Sequence, residues 1–243
     1  NTISGVAVGI SLQNDGNTVT GNNITANDTG FGIASFNTTF ADNVINMTGE
    51  NGAEAKISGG ADPYKGSIQD GINAVNSGDT VSVAAGTYAE NLTINKTLTL
   101  QGSAGETVNG KITVSNDNVT VSGLTVTNPS GSQGIVLNGV SSATVSGNTV
   151  NNIGGPAVTG SVEGIRIIYG AGNIDGPILI ENNTVTSVQS SNTSTKGIWL
   201  GGSENPTREV RGLTIRGNTV SGVTVSSKGA YGSWTCFVGK PSC

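Results

Sequence analysis

Residues 134–150 read GIVLNGVSSATVSGNTV, and this stretch contains both of the short patterns that recur along the chain. One pattern is Gly-Ile-x-(Leu/Ile), and the other is (Gly/Asn)-Asn-x-(Val/Ile). Copies of the first pattern begin at Gly9, Gly134, Gly164 and Gly197. Copies of the second begin at Gly21, Gly147, Asn182 and Gly217, with a looser copy at Asp42. The two patterns alternate, and the full period is about 21 to 35 residues.

Each repeat has the pattern of short β-strands separated by sharp corners. Alternating apolar positions place Ile135 and Leu137 on one face of a strand, and Gly or Asn tolerates the left-handed backbone of a corner. A repeat this short cannot bury its own apolar face, so successive repeats must stack. The Leu spacing and helical half of leucine-rich repeats are absent, and a β-sandwich would show hairpin turns. We therefore predict an all-β fold, a right-handed parallel β-helix (solenoid).

The second pattern also predicts a role for its asparagines. Asn148, Asn183 and Asn218 recur at the same corner of successive repeats. Stacked amides at such a corner can hydrogen-bond along the axis of the coil. We interpret these residues as structural and not as ligand-binding.

Residues 67–102 begin with a short amphipathic helix. Ile68, Ile72 and Val75 have the i, i+4, i+7 spacing that places them on one helix face, and Ser67 is a suitable N-cap. Strands are predicted to follow at residues 80–83, 92–94 and 98–100. The segment is therefore predicted to begin with one short α-helix, which the strands of the solenoid follow.

This segment resembles the opening of pectin-lyase-like right-handed β-helices, especially the repeat proteins of archaeal and bacterial cell surfaces. The resemblance covers roughly residues 64–225; it is specific at the helix and generic in the repeats. It implies that the helix plugs the N-terminal end of the solenoid. It also implies a surface layer or sheath as the setting, such as the sheath of a methanogenic archaeon.

The sequence carries neither catalytic pattern of the enzymes with this fold. Hydrolases of the family are similar to one another in paired Asp residues and a Gly-His-Gly segment, whereas this chain has 0 His. Inverting hydrolysis needs two carboxylates about 6.5–9.5 Å apart, and residues 107–225 contain no Asp-Asp or Asp-x-Asp. The family's lyases use an acidic calcium cluster with an Arg base, and the sequence offers no such cluster of oxygen ligands. We expect a protein that is not an enzyme, without cofactor or metal.

Composition excludes further classes of function. The net charge of −5 and the pI of about 4.6, with scattered Lys and Arg, argue against nucleic acid as a partner. The sequence contains no run of 18 apolar residues, so it predicts no membrane-spanning helix. Richness in Asn, Thr, Ser and Gly with few Lys is typical of extracellular solenoids, so we expect the cell surface or envelope. The chain begins inside a patterned segment, which indicates a removed leader or a piece of a longer chain.

We divide the chain into rungs at 1–50, a linker at 51–66, the capped β-helix at 67–225 and a tail at 226–243. Residues 1–8, NTISGVAV, are identical to residues 218–225, NTVSGVTV, at six of eight positions. The first segment is therefore expected to complete the C-terminal end of a solenoid, since the helix covers the other end. The valines expected at this contact are Val6, Val8, Val223 and Val225.

Three arrangements of residues 1–50 remain open. They dock on a neighbouring molecule, which builds rings or filaments; they fold back onto their own chain; or they are the tail of a preceding repeat domain. A linker of 16 residues spans at most about 55 Å. On this length, docking on a neighbour and folding back are both feasible.

The C-terminal tail concentrates aromatic residues and both cysteines of the chain. An aromatic patch at a solenoid end either seals the core or forms an interface. The two cysteines either close a small loop or cross-link neighbouring subunits. The residues concerned are Tyr231, Trp234, Cys236, Phe237 and Cys243.

One group of side chains suggests a sugar site. Arg166 and Trp199 occupy the same outward position in successive Gly-Ile-x-(Leu/Ile) copies, so they are expected to stack. With Glu163 and Glu181 they could form a shelf for a sugar. The alternatives are surface decoration or a contact with a neighbouring molecule.

Nine sequons for N-glycosylation are present, of which about six are expected by chance in such a composition. They are Asn23, Asn27, Asn37, Asn46, Asn91, Asn95, Asn118, Asn182 and Asn192. The sequence as a whole predicts a non-catalytic extracellular structural protein that assembles with itself, head to tail, into a sheath, layer or fibre. Glycans are a further candidate partner. A carbohydrate-binding or polysaccharide-cleaving β-helix is the alternative, and an adhesin is the third hypothesis.

Overall fold

The computed structural model shows a chain built almost entirely of parallel β-strands stacked in three main sheets. The residues that it describes are 1–12, 18–20, 23–33, 39–41, 44–47, 55–58, 64–65, 67–168, 175–191, 194–201 and 210–226. Strands that follow one another around the coil lie in different sheets, and each pairs with strands of the turns before and after. The architecture is the right-handed parallel β-helix predicted from the repeats.

Residues 1–47 form small parallel sheets of their own. Their strands are β1 (Thr2–Leu12), β2 (Thr18–Thr20), β3 (Asn23–Ile33), β4 (Thr39–Ala41) and β5 (Val44–Met47). The order in one sheet is β1-β3-β5, and β2 pairs with β4 in the other. Within the described residues these five strands pair only with one another. We call this part the N-terminal module.

The segment predicted as a linker contains two short strands, β6 (Ala55–Ser58) and β7 (Tyr64–Lys65). β6 pairs antiparallel with β7 and with the first solenoid strand, β8 (Thr80–Val83). The chain therefore returns to the sheet before the solenoid begins, and the connection from the N-terminal module is shorter than the sequence suggests.

The solenoid begins with α1 (Ile68–Ala74) and continues with seventeen strands. After β8 come β9 (Gly86–Tyr88), β10 (Leu92–Ile94), β11 (Thr99–Gly102), β12 (Glu106–Asn109), β13 (Ile112–Val114), β14 (Val119–Ser122), β15 (Thr125–Asn128), β16 (Gln133–Asn138), β17 (Ala143–Ser146), β18 (Thr149–Gly154), β19 (Val162–Ile168), β20 (Ile178–Glu181), β21 (Thr184–Ser190), β22 (Thr195–Leu200), β23 (Leu213–Arg216) and β24 (Thr219–Val225). The helix and the predicted strands at 80–83 and 92–94 are confirmed. The third predicted strand is observed as β11, which begins one residue later and ends two residues later.

The solenoid strands are divided among three sheets. The first has the order β23-β20-β17-β14-β11-β8 and continues into β6 and β7. The second is β24-β21-β18-β15-β12-β9, and the third is β22-β19-β16-β13-β10. One strand from each sheet makes a rung, and the last rung consists of β22, β23 and β24.

In the core, the aliphatic side chains of successive rungs lie directly above one another and form columns. In the first sheet Val81, Leu100, Val121, Val145 and Ile180 follow one another in register, each with 0% exposure. Rung spacing of about 4.8 Å allows such close stacking of small side chains. The poverty in aromatic residues follows from this thin, layered core.

The glycine of the Gly-Ile-x-(Leu/Ile) pattern is required because the third sheet comes close to the second sheet at this position. A Cβ on Gly164 would lie 2.4 Å from Cγ1 of Val185, which belongs to the second sheet. The equivalent contacts join Gly134 to Val150 and Gly197 to Val220. A side chain at this position would displace the valine that fills the corner of the core.

The helix closes the N-terminal end of the core. Ile68 and Ile72 have 0% exposure. Ser67 Oγ accepts a hydrogen bond from the Asp70 N–H at 3.0 Å, as a helix N-cap does. Glu90 accepts two more, from the N–H of Ile68 at 2.7 Å and of the next residue at 3.1 Å. In the described part of the chain no helix is long and apolar enough to cross a membrane.

Candidate functional site

The last rung of the solenoid presents a ring of apolar side chains that are only half-buried. Each of them lies in register above a neighbour that has 0% exposure. The pairs, buried residue first, are Ile165–Ile198, Ile167–Leu200, Ile178–Leu213, Ile180–Ile215, Val185–Val220 and Val188–Val223. We call the last rung, β22 with β23 and β24, the open end. Among the described residues no further strand pairs with it.

The two ends of the solenoid therefore differ in chemistry. At one end α1 and β6 cover the first rung, and at the other no helix or strand of the described residues covers the half-buried side chains of the last rung. A solenoid that ends without a polar cap exposes both apolar side chains and unpaired strand edges. Such an end is a surface for adding another strand.

A ladder of asparagine amides runs to the open end, as predicted. Asn148 Nδ2 donates to Asn183 Oδ1 at 3.0 Å, and Asn183 Nδ2 donates to Asn218 Oδ1 at 2.9 Å. The same oxygens also accept from the backbone N–H of the preceding asparagine in the ladder. Asn148 and Asn183 are 1% exposed, whereas Asn218 is half-buried. The ladder thus reaches the open end with its last amide partly exposed.

The structure locates some of the residues predicted for assembly. Val223 and Val225 lie in β24 and are half-buried. Val6 and Val8 lie in β1, where the backbone is described. The aromatic and cysteine residues of the tail, Tyr231, Trp234, Cys236, Phe237 and Cys243, lie outside the described residues.

A second group of interest, the charged cluster, consists of Glu163, Arg166, Lys196 and Trp199 on the outer face of the third sheet. Strand register places Glu163 beside Lys196 and Arg166 beside Trp199. The Arg166 guanidinium carbon lies 4.5 Å from the centroid of the Trp199 ring, and Lys196 Nζ lies 4.0 Å from it. The predicted Arg166–Trp199 stack is therefore present.

Glu163 is a buried carboxylate at the centre of the charged cluster, with 1% exposure. Its Oε2 accepts from Gln133 Nε2 at 3.2 Å and lies 3.8 Å from an Arg166 nitrogen. Its Oε1 lies 4.0 Å from Lys196 Nζ, beyond hydrogen-bond distance. Glu163 Oε1 and Arg166 Nε are both buried without a hydrogen-bond partner. The cluster thus contains one acceptor and one donor whose hydrogen-bonding capacity is not satisfied within the described residues.

Burial lowers the pKa of Lys196 below its usual 10.5, because desolvation penalises the ammonium. The carboxylate of Glu163 opposes this shift, and the guanidinium of Arg166 adds to it. Lys196 was not predicted from the sequence. It follows Glu163 by 33 positions, and Trp199 follows Arg166 by the same number. That shared spacing is the signal that could have found it.

The structure does not bring Glu181 into the charged cluster. Glu181 ends β20 in the first sheet, and its Oε2 accepts from Arg216 Nε at 2.8 Å and lies 2.7 Å from Arg216 Nη2. Both residues face outward on a different side of the coil. This pair is a surface ion pair between neighbouring rungs.

The sequons fall in several environments. Asn91, Asn95, Asn118 and Asn182 are exposed in the solenoid. Asn118 and Asn182 adopt left-handed backbone, with φ of 58° and 55°, so they also serve as corners. Asn23, Asn27 and Asn46 lie in strands of the N-terminal module, and Asn37 and Asn192 lie outside the described residues.

Comparisons add no assignment to this geometry. No family model matches the chain, and neither curated proteins nor solved structures give a match. Among the described residues no group of three or more His, Cys, Asp or Glu side chains could hold a metal ion.

Proposed function

We propose that this chain is a non-catalytic structural protein whose copies join end to end into a fibre, hoop or layer at the cell surface. The observation that carries the proposal is the difference between the two ends of the solenoid. One end is closed by α1, and the other presents six half-buried aliphatic side chains in a ring. The N-terminal module supplies strands of the same pattern.

The energetics favour a contact at the open end. Full burial of an aliphatic side chain contributes about 1.5–3 kcal/mol. Completing the burial of a half-buried one contributes about half of this, so six such residues provide a substantial driving force. Adding a parallel strand also satisfies the backbone groups along the free edges of the last rung.

An extracellular setting, as in a sheath or surface layer of the archaeal type, is part of the proposal. The composition and the resemblance of residues 64–225 to surface repeat proteins support it. In such a setting Cys236 and Cys243 would form disulfides. Loosening of native assemblies by reductant, seen by negative-stain electron microscopy, would assign these cysteines to cross-links between subunits.

Assembly is tested by sedimentation velocity of the purified chain with one substitution at the open end. Val223→Asp introduces a charge into the apolar ring and should abolish species larger than the monomer. Thr224→Asp is the matched control, because Thr224 is the next residue in β24 and is exposed. Circular dichroism establishes that both variants keep the solenoid. Monomers for the unsubstituted chain at all concentrations would overturn the proposal.

Carbohydrate binding is a second candidate, and the charged cluster favours it. Both atoms are buried, so a sugar hydroxyl would donate to Glu163 Oε1 and accept from Arg166 Nε only after the partly exposed side chains of Arg166 and Lys196 move aside. Glycan-array binding that is lost in Glu163→Gln and kept in the surface variant Glu181→Gln would support this candidate. Absence of binding to neutral and acidic polysaccharides would leave the cluster with a structural role alone.

A further inference from the structure

We infer that β1 of one copy adds as a parallel strand to β24 of a second copy, in one defined register. Ile3 would lie beside Val220, Val6 beside Val223 and Val8 beside Val225. This inference rests on the proposed end-to-end assembly and names the strands and residues that form the joint.

The backbone of β1 matches that of β24 as well as its sequence does. Residues 1–8 and 218–225 are identical at six of eight positions. Within this match, Gly5 has a φ of 68° and Gly222 a φ of 62°. Both are in the left-handed region, which L-residues with a side chain rarely adopt. The two strands therefore share an irregularity at the same place.

The same left-handed backbone conformation recurs at one position of successive strands in the second sheet of the solenoid, where it forms a column. Asn152 in β18 and Ser187 in β21 have φ of 55° and 54°, and they precede Gly222 at the same position in register. β24 pairs with β21 without a register shift, because both strands carry the extra bend. A strand that continues this sheet must carry the bend too, and Gly5 supplies it.

The neighbour of β1 inside its own module lacks the matching bend. Two residues of β1 separate Ile3 from Val6, whereas one residue of β3 separates their partners Ile24 and Ala26. The register therefore shifts at Gly5, and it is restored by an opposite shift between Val6 and Val8, where β3 has the extra residue. The same kind of shift separates β15 from β18, where the column begins. β1 thus matches β24 position for position, whereas its pairing with β3 contains two register shifts, between Ile3 and Val6 and between Val6 and Val8.

Chain length excludes the open end of the same molecule. Residues 48–54 join Met47 in β5 to Ala55 in β6, and eight Cα steps span at most about 29 Å. β6 lies beside β8, six strand spacings from β23. If β1 were added to β24, β3 and β5 would follow it, and β5 would lie three spacings beyond the last rung. The distance from β5 to β6 along the axis would then be nine spacings, about 43 Å. Even with β5 next to the last rung the distance would be about 34 Å. The partner is therefore another copy.

The closed N-terminal end makes the joint directional. Because α1 and β6 cover the first rung of the solenoid, a second copy cannot dock there through its open end. Each copy offers one N-terminal module and one open end, so the contact is heterologous and continues from copy to copy. The asparagine ladder would extend into the next copy at Asn1, the residue that matches Asn218 in sequence.

Cysteine cross-linking tests the register. In a Cys236→Ser/Cys243→Ser background, one preparation carries Val6→Cys and another carries Val223→Cys. Directly opposed residues on neighbouring strands lie about 4.8 Å apart, within the range that a disulfide bridges. Mild oxidation of the mixture should give covalent dimers, at least tenfold more than either preparation alone. The chain with both substitutions should give a ladder of covalent multimers.

Val6→Cys mixed with Val220→Cys is the out-of-register control, since Val220 lies three residues away along β24 and is similarly half-buried. It should give little product. A second registered pair, Val8→Cys with Val225→Cys, guards against failure of one substitution.

The outcomes separate the joint from the proposed function. If the reduced variants sediment as assemblies and neither registered pair cross-links, the register is overturned while end-to-end assembly stands. Cross-linked monomers from the double variant would show that the module folds back on its own chain and would overturn the inference. If the unsubstituted chain is monomeric, the proposed function fails and the joint fails with it.

Discussion

Asn183 lies directly below Asn218 in the solenoid, and its Nδ2 donates to the Asn218 side-chain oxygen at 2.9 Å. Asn148 stands in the same relation to Asn183. Each amide also donates to a backbone carbonyl within the coil, for example Asn183 Nδ2 to Val145 O at 2.9 Å. At the corner the ladder also accepts hydrogen bonds from the backbone N–H groups of Asn148 and Asn183, so it links side chains and backbone of successive rungs.

Removal of the central amide should destabilise the solenoid strongly. Asn183→Ala removes the acceptor of the Asn148 backbone N–H and of one of its side-chain N–H groups, and it removes one donor to the carbonyl of Val145. A buried polar group left unsatisfied costs about 1–3 kcal/mol, so we expect a loss of about 3 kcal/mol in the free energy of unfolding. Urea denaturation followed by circular dichroism measures it.

Asn218→Ala is the matched control for that experiment. Asn218→Ala removes the acceptor of the backbone and side-chain N–H groups of Asn183. Because Asn218 is half-buried in the last rung, water can replace it beside Asn183 in the isolated chain, so the loss should be smaller, about 1 kcal/mol. Equal losses for the two variants would contradict a burial-dependent ladder.

The close approach of Gly197 and Val220 predicts a clash that a second substitution relieves. A Cβ on Gly197 would lie 2.2 Å from Val220 Cγ1, and the other two nearest atoms also belong to Val220. Gly197→Ala should therefore destabilise the chain by about 1–3 kcal/mol, the usual range for overpacking. The double variant Gly197→Ala/Val220→Ala should be more stable than the sum of the single losses predicts.

A double-mutant cycle measured by urea denaturation gives this coupling. Additive losses would mean that the backbone moves to accommodate the methyl group and that the glycine is not required by the valine.

The Glu90 carboxylate anchors the capping helix from a distant position in sequence. Glu90→Ala removes acceptors for two N–H groups of the first turn, at 2.7 and 3.1 Å. Ser67→Ala removes one acceptor at 3.0 Å. Loss of an N-cap costs about 1 kcal/mol, so we expect about 1 kcal/mol for Ser67→Ala and about 2 kcal/mol for Glu90→Ala. Hydrogen exchange of the helix amides measures where the loss falls. Faster exchange of the helix amides in Ser67→Ala than in Glu90→Ala would contradict this ranking.

Features that recur with the repeat could be predicted from the sequence. The column of Asn148, Asn183 and Asn218 and the stack of Arg166 on Trp199 each follow from one position copied in successive rungs. The capping helix could be predicted because its apolar spacing differs in period from that of the strands.

Features that occur once could not be predicted, since they depend on contacts between distant residues. Glu90 reaches α1 from more than twenty positions away, and no local pattern marks it. The antiparallel addition of β6 to β8 also depends on tertiary pairing, and it is what shortens the connection from the N-terminal module. Lys196 lay within reach of the repeat argument, but its burial beside Glu163 follows from the packing around it.

The charged cluster predicts an alkaline transition centred on Lys196. Desolvation holds its pKa below 10.5 in the folded chain, whereas the unfolded chain keeps the ordinary value. Between the two values the unfolded chain binds more protons, so the free energy of unfolding rises with pH in this window. Below the lowered pKa the penalty for the buried ammonium is fully present. Lys196→Gln should abolish this contribution.

Glu163→Gln should lower the pKa of Lys196 further, because the carboxylate is the group that opposes desolvation. Fluorescence of Trp199 reports the titration directly, since Lys196 Nζ lies 4.0 Å from the centroid of its ring. A Trp234→Phe background leaves Trp199 as the single tryptophan of the chain. The fluorescence midpoint should move to lower pH in Glu163→Gln and disappear in Lys196→Gln. A midpoint that moves to higher pH in Glu163→Gln would contradict this electrostatic account of the cluster. It would mean that the substitution reduces the desolvation of Lys196 by more than it reduces the attraction of Lys196 to residue 163.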